Sequence, residues 1–178
     1  SERNADIHIV SSKNLNSINC PVKLNSGAID EFLVIFLVAA RAKGVSYFKN
    51  LSELNQKESP RLYWGAKILN KMGIKTITTD TSIKIFGDPD LKPISYLEKK
   101  GSAQCKSSII FAGLRTDGTT IIKAKKSRNH TELMCKYLNL PVSVKNKNNY
   151  DEIKVKKAKK IKPFNYKIPS DISSSAFF

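Results

Sequence analysis

One stretch of the chain, residues 125–132, combines the side chains that bind anions. It carries three cations, Ser127 or Asn129 can cap a following helix, and Glu132 stands three positions after Asn129, as in a capping box. The exposed amides and the dipole of a helix start stabilise an anion by roughly 0.3–2 kcal/mol, and Arg128 could add a bidentate contact. The stretch therefore indicates either a phosphate or carboxylate site or an ordinary capped helix with solvated lysines.

Two other predicted helix starts carry charged side chains. Asp30 and Glu31 precede an apolar run, and Glu58 and Arg61 stand three positions apart on either side of Pro60, which suits a first helical turn. Acidic residues in a first turn stabilise the helix dipole, and an i, i+3 charge pair is worth a few tenths of a kcal/mol. From the residues alone, capping and surface pairing explain both groups.

Hydrophobic periodicity predicts the elements that would position these residues. In the first half we expect strands and helices at residues 6–11, 32–43, 45–48, 60–72, 74–79 and 82–86, with a C-cap at Gly44 and a polar connection over 51–57. In the second half we expect them at 102–114, 119–124, 129–140, 142–145 and 152–156. The order repeats, which predicts two copies of a helix–strand–helix–hairpin unit whose helices are buried inside a cage of sheets or against one sheet.

The chain is strongly basic. It has 31 Lys and Arg residues against 15 Asp and Glu, a net charge of +16, which favours polyanions, acidic surfaces or phosphorylated small molecules as partners. Lysine is abundant throughout, so part of this excess reflects composition. The lysine-rich run 154–162 is either a nucleic-acid contact or a strand with one solvated basic face, and it carries no aromatic residues in register for base stacking.

Cysteine spacing and hydropathy exclude several classes of protein. The three cysteines lie far apart with no C-x-x-C pair, which argues against a metal site or a disulfide framework and predicts a reducing, cytoplasmic location. The longest apolar run, residues 32–40, is too short to span a bilayer, which needs about 20 residues. No signal peptide opens the sequence. Residues 168–178 resemble the start of a helix that stops early, which predicts a fragment.

Five motifs carry a resemblance to a known family. In the second half they are GSAQCKSS (101–108) with AGL (112–114), SRNHTELM (127–134) and SDISSSAFF (170–178). In the first half they are IDE (29–31) before the apolar helix and LNQKESPRL (54–62). Together they span nearly the whole chain, which resembles part of the 5-enolpyruvylshikimate-3-phosphate synthase family.

The resemblance implies an α/β (α+β) fold of repeated helix–strand–helix–hairpin units of the enolpyruvyl transferase type, an inside-out α/β barrel, here incomplete. Segment 1–91 resembles the later part of that family and segment 92–178 its central part, so the family's order is reversed. Four family motifs have no counterpart in these residues: the N-terminal Lys-Ser…Arg motif, the Gly-rich phosphoenolpyruvate loop, the late His-Arg motif and the C-terminal Lys. Pro60 replaces a common Asp.

The family transfers the enolpyruvyl group of phosphoenolpyruvate to shikimate 3-phosphate, in aromatic amino acid biosynthesis, without a metal or organic cofactor. By resemblance, shikimate 3-phosphate would be bound by Ser102, Ala103, Arg128, Asp30 and Lys57. Phosphoenolpyruvate would be bound by Gln104 and Arg61. The implied catalytic residues are Asp30 as general base, with Lys57 beside it, and Glu58, which would assist proton transfer to the methylene carbon.

Because several charged groups of the family are missing, we expect weak binding of shikimate 3-phosphate and negligible turnover by this chain alone, and a complementary chain is the partner that could complete the site. We expect no membrane partner. Two alternatives remain open: enolpyruvyl transfer to a nucleotide sugar, for which no loop-cysteine motif is present, and a basic nucleic-acid-binding module without catalysis.

Overall fold

Two units with the same succession of elements follow each other along the chain. A computed structural model describes residue 10 and residues 14–56 and 60–167. The first unit contains α1 (Phe32–Ala40), β1 (Val45–Phe48), α2 (Ser52–Asn55), α3 (Arg61–Lys71), β2 (Thr76–Thr78) and β3 (Ile83–Phe86). The second contains β4 (Ser95–Glu98), α4 (Ala103–Gly113), β5 (Thr119–Lys125), α5 (His130–Tyr137), β6 (Val142–Asn146) and β7 (Tyr150–Lys156).

Each unit builds its own sheet, and the two sheets have the same strand arrangement. The strand orders are β1-β3-β2 and β4-β5-β7-β6. β3 pairs antiparallel with both of its neighbours, as does β7, whereas β4 runs parallel to β5. In the first unit Asn16 and Asn19 form parallel bridges to Lys43 and Tyr47 beside β1, where β4 lies in the second unit. The predicted repeat of helix, strand, helix and hairpin is confirmed.

The core forms where the helices cover the sheets and meet one another. α1 and α3 contact the first sheet, α4 and α5 contact the second, and α4 contacts both α1 and α3. Phe32, Phe36 and Phe48 pack their rings 5.2 to 6.1 Å apart under the first sheet. Burying one such side chain contributes about 1.5–3 kcal/mol, so these rings stabilise the first unit. The two units meet where α4 contacts α1 and α3.

The lysine-rich run after residue 150 follows the alternation of a half-buried strand. On β7, Ile153 and Val155 are fully buried while Lys154 and Lys156 point to solvent. Successive side chains of a strand face opposite sides of the sheet. Residues 154–156 therefore form the predicted strand with one solvated basic face, and the nucleic-acid contact stays an untested alternative.

Several boundaries differ from those expected. The region predicted as a polar connection contains α2, whose Leu54 is buried, and β4 was not predicted. α1 ends at Ala40, and Gly44, with a φ of 101°, lies in the turn into β1 and is not the helix cap.

The predicted strand at 6–11 and the helix start at 168–178 lie outside the described residues, apart from Val10. No helix in the described part is both long and apolar enough to cross a bilayer.

Candidate functional site

Two adjoining clefts lie where the first unit meets the second, and together they are called the junction site here. The first, of about 260 Å³, is lined by Asp30, Leu33, Val34, Ala103, Gln104, Ser107, Arg128, His130 and Thr131. The second, of about 190 Å³, is lined by Arg61, Lys100, Gly101, Ser102, Ala103, Gln104, Ser127 and Arg128. Ala103, Gln104 and Arg128 border both clefts. The junction site is therefore one continuous depression with contributions from both units.

The N-terminus of α4 forms the wall shared by the two clefts. Ser102 is the N-cap, and its Oγ accepts a hydrogen bond of 3.3 Å from the Cys105 amide. The loop before it is held by the buried Glu98, whose carboxylate accepts bonds from the Lys100 and Gly101 amides at 2.9 and 2.7 Å. Gly101 adopts a φ of 74°, which only glycine adopts without strain. The positive end of the helix dipole thus faces the junction site.

The first unit contributes an acid and a base that contact each other. The Arg61 guanidinium, at the first residue of α3, donates to Asp30 Oδ1 at 2.5 Å. The Arg61 side chain is 13% exposed and that of Asp30 58%. A mostly buried guanidinium with its fork directed at a carboxylate can bind a substrate carboxylate in the same way.

Two polar atoms at the junction site are buried without a hydrogen-bond partner among the described residues. They are Gln104 Oε1 and Ser127 Oγ, and both residues line the second cleft. Most buried polar atoms in proteins are satisfied by the protein, by water or by a ligand. Both atoms therefore retain unused hydrogen-bonding capacity beside the second cleft. Ser127 was considered in the sequence only as a helix cap.

The capping box predicted around Asn129 is wrong. Asn129 is the N-cap of α5 but makes no side-chain capping bond. Glu132 instead turns inward, is 5% exposed and lies 2.6 Å from Lys106 Nζ, whose side chain is 1% exposed. A buried ammonium without a counter-charge costs several kcal/mol, more than a cap contributes. The need to neutralise Lys106 therefore outweighs the local capping preference.

The structure brings together most of the residues to which the resemblance assigns a role. They are Asp30, Arg61, Ser102, Ala103, Gln104 and Arg128. Lys57 and Glu58 lie outside the described residues, although they come shortly before Arg61 in the chain.

Several lining residues were not predicted as site residues. They are Lys100, Gly101, Ser107, Ser127, His130 and Thr131. Some of these residues could have been found from the sequence. Ser127, His130 and Thr131 belong to the stretch 125–132 that could bind an anion, and Ser107 lies one helical turn after Ala103.

Comparison with known proteins identifies a family for this chain. The family model of EPSP synthase (3-phosphoshikimate 1-carboxyvinyltransferase) matches residues 78–178. A 3-phosphoshikimate 1-carboxyvinyltransferase of Caldicellulosiruptor bescii is 35% identical over 145 residues, which covers 72% of this chain and 33% of the relative. Another, of Caldicellulosiruptor saccharolyticus, is 42% identical over 97 residues, which covers 54% and 22%.

Solved structures extend the similarity beyond the region matched by the family model. An EPSP synthase of Acinetobacter baumannii superposes with a TM-score of 0.65 at 30% identity, over 84% of this chain and 33% of that protein. The enolpyruvyl transferase NikO of Streptomyces tendae superposes with a TM-score of 0.50 at 13% identity, over 70% of this chain and 29% of its own, which shows a shared fold.

The chain spans about a third of the length of the first of these relatives. The division at residue 91 and the reversed order of the two segments stay predictions. The family match to residues 78–178 covers α4, β5 and α5, which carry the second unit's share of the junction site. This chain belongs to the EPSP synthase family.

Proposed function

We propose that this chain takes part in enolpyruvyl transfer from phosphoenolpyruvate to shikimate 3-phosphate and that the junction site binds both substrates. The observation that carries the proposal is the convergence of six side chains with implied roles, two from the first unit and four from the second. Asp30 and Arg128 lie almost a hundred positions apart in the chain and line the same cleft. Packing of the helices of the two units brings these residues together, and a shared ligand would give their meeting a function.

The charges of the junction site support anionic substrates. Arg61, Lys100 and Arg128 line the second cleft together with the N-terminus of α4. Among the described lining residues Asp30 is the one carboxylate, and Arg61 already contacts it. Phosphate and carboxylate groups are stabilised by guanidinium groups and by helix N-termini. The site therefore suits two anionic ligands, a phosphorylated hydroxy acid and a second molecule with a carboxylate.

Each residue then has a distinct task. Ser102, Ala103 and Arg128 hold the phosphate and ring of shikimate 3-phosphate, while Arg61 and Gln104 hold phosphoenolpyruvate. The attacking hydroxyl adds to the substituted carbon of phosphoenolpyruvate and gives its proton to Asp30, and the methylene carbon gains a proton. Loss of phosphate and of a methyl proton restores the double bond. Arg61 and the α4 amides stabilise negative charge during both steps.

The chain by itself is expected to catalyse this reaction poorly. Removing one well-placed donor from an active site costs about 10²–10³ in rate, and several charged motifs of the family have no counterpart in these residues. We therefore infer that the chain binds shikimate 3-phosphate weakly and that a complementary chain would supply the remaining groups.

Calorimetric titration of the purified chain with shikimate 3-phosphate tests the binding claim. We expect saturable binding that is weakened about 10- to 100-fold in Arg128→Ala, because a hydrogen bond to a charged group contributes about 1.5–3 kcal/mol. The matched control is Arg115→Ala, which removes the same charge just beyond the other end of α4 and should bind normally. Equal affinity in both variants would contradict the proposal.

Two further assays separate the remaining outcomes. A coupled phosphate-release assay with both substrates should show little turnover, and fast turnover would show that the chain needs no complement. Titration with duplex DNA should show no specific complex, whereas tight binding with a salt slope of several units would favour the nucleic-acid alternative.

A further inference from the structure

A buried ion pair connects α4 to the segment that carries Arg128. Lys106 Nζ lies 2.6 Å from Glu132 Oε1, and the two side chains are 1% and 5% exposed. The same ammonium donates a hydrogen bond of 2.9 Å to the backbone carbonyl of Arg128. Lys106 therefore joins three points: its own helix, the first turn of α5 and the backbone of a residue that lines both clefts.

A second contact between the same two helices lies beside the first, one residue after Lys106 and one residue before Glu132. Ser107 Oγ and Thr131 Oγ1 lie 2.7 Å apart, and both residues line the first cleft. Arg128 lies in the stretch 127–129 between β5 and α5, outside regular secondary structure, and it is exposed. The position of its backbone thus depends on contacts made by its neighbours.

Stability alone is a poor explanation for the pair. Replacing a buried ion pair by apolar residues of similar size is often neutral or stabilising, because desolvation of both charges offsets their attraction. Neither carboxylate oxygen of Glu132 has a hydrogen bond of normal geometry among the described residues. The hydrogen bonds that usually offset the desolvation of a buried carboxylate are therefore incomplete. An apolar pair could fill the same space but could not donate to the Arg128 carbonyl.

We propose that Lys106 and Glu132 are positioning residues that hold the Arg128 backbone in place, so that its guanidinium meets the substrate phosphate. The inference rests on the proposed function for the identity of the ligand. Neither residue needs to touch the substrate. The Glu132 carboxylate fixes the Lys106 ammonium, which donates a hydrogen bond to the Arg128 carbonyl.

The test compares single and double variants in binding and in stability. Lys106→Met and Glu132→Gln should each weaken binding of shikimate 3-phosphate about tenfold, which corresponds to about 1.4 kcal/mol. The double variant Lys106→Met/Glu132→Leu should regain most of the thermal stability lost in the single variants while its affinity stays low. Recovery of affinity together with stability in the double variant would show a purely structural role and overturn the inference.

A second readout needs no substrate. Amide hydrogen exchange of residues 126–130 should be faster in the double variant than in the wild type. The matched control, Lys157→Met, breaks the exposed Lys157–Asp117 pair of 2.7 Å and should leave exchange in this segment unchanged. Unchanged exchange in the double variant would overturn the positioning role whether or not the ligand binds. Faster exchange in a chain that fails to bind shikimate 3-phosphate would support positioning and reject only the proposed function.

Discussion

The Arg61 guanidinium and the Asp30 carboxylate are in contact at 2.5 Å, although the two residues are 31 positions apart and have been assigned to different substrates. Under the proposed function, the carboxylate of phosphoenolpyruvate would compete with Asp30 for the Arg61 guanidinium. Binding of phosphoenolpyruvate would then release Asp30 to act as the base for shikimate 3-phosphate.

Arg61→Gln should weaken phosphoenolpyruvate binding about 10- to 100-fold while it changes the free energy of unfolding by no more than about 1 kcal/mol. The first effect follows from loss of a charged donor, and the second from the 58% exposure of Asp30, which limits the pair's contribution to stability. Calorimetry in the presence of shikimate 3-phosphate measures the affinity for phosphoenolpyruvate. Urea unfolding measures the change in stability. Arg41→Gln, which loses only a hydrogen bond to the Pro89 carbonyl, is the control. Unchanged phosphoenolpyruvate affinity in Arg61→Gln would reject its role.

Gly65→Ala should destabilise the fold by about 1–3 kcal/mol, although alanine normally favours a helix over glycine. A Cβ at Gly65 would lie 2.9 Å from Leu33 Cδ2 and 3.1 Å from Phe36 Cδ2, so α3 can approach α1 this closely only without a side chain. Thermal and urea unfolding check the loss. Gly27→Ala, whose Cβ would meet only a carbonyl oxygen at 3.9 Å, should be nearly neutral. Equal stability of the two variants would contradict this packing.

Cys20 should react with iodoacetamide in the native protein well before Cys105 and Cys135. Cys20 is partly exposed, whereas the other two are buried, and none of the three forms a disulfide. Burial, and secondarily the nearby Glu132 carboxylate, raise the pKa of the Cys135 thiol, so little thiolate forms there. Burial also raises the pKa of Cys20, so its labelling should still be slower than that of a thiol in the unfolded chain.

Peptide mapping of protein labelled at pH 8, with a fully unfolded sample as the reference, assigns the reactive cysteine. Early modification of Cys135 would show that the α5 region opens readily and would contradict the buried Lys106–Glu132 connection.

The stability of the protein should fall at alkaline pH, and Tyr96→Phe should make that fall shallower. Burial, with smaller effects of Cys105, Glu98 and Tyr63, raises the pKa of Tyr96 above its ordinary value of 10.0. Above about pH 10 the unfolded chain loses this proton while the folded chain keeps it, so the unfolded state binds fewer protons and the free energy of unfolding falls as pH rises.

Urea unfolding of wild type and Tyr96→Phe at pH 8 and pH 11 measures this difference. Other groups, including the lysines, titrate in both proteins, so only the difference between the two pH dependences is informative. Identical dependences would show that Tyr96 is not shielded from solvent in the folded state.

The order of elements and the class of site could be predicted from local patterns. Apolar spacing located α3 and the two hairpins, since a 3.6-residue or two-residue period reports which face of an element is buried. α1 was predicted from a continuous apolar run instead. Ser102, to which the resemblance assigns a substrate contact, caps α4 and lines the second cleft. The motifs pointed to the family to which the chain belongs.

Only the tertiary structure decided how the charged side chains are paired. Glu132 fits a capping box within residues 129–132, yet it pairs with Lys106, a residue of another helix that must be neutralised once it is buried. The parallel β4 was missed because its burial runs against hydropathy, with Glu98 buried and Leu97 exposed. The meeting of Asp30 and Arg61 with the start of α4 depends on how the helices of the two units pack. That packing arises from apolar contacts between residues far apart in the chain, which no local pattern specifies.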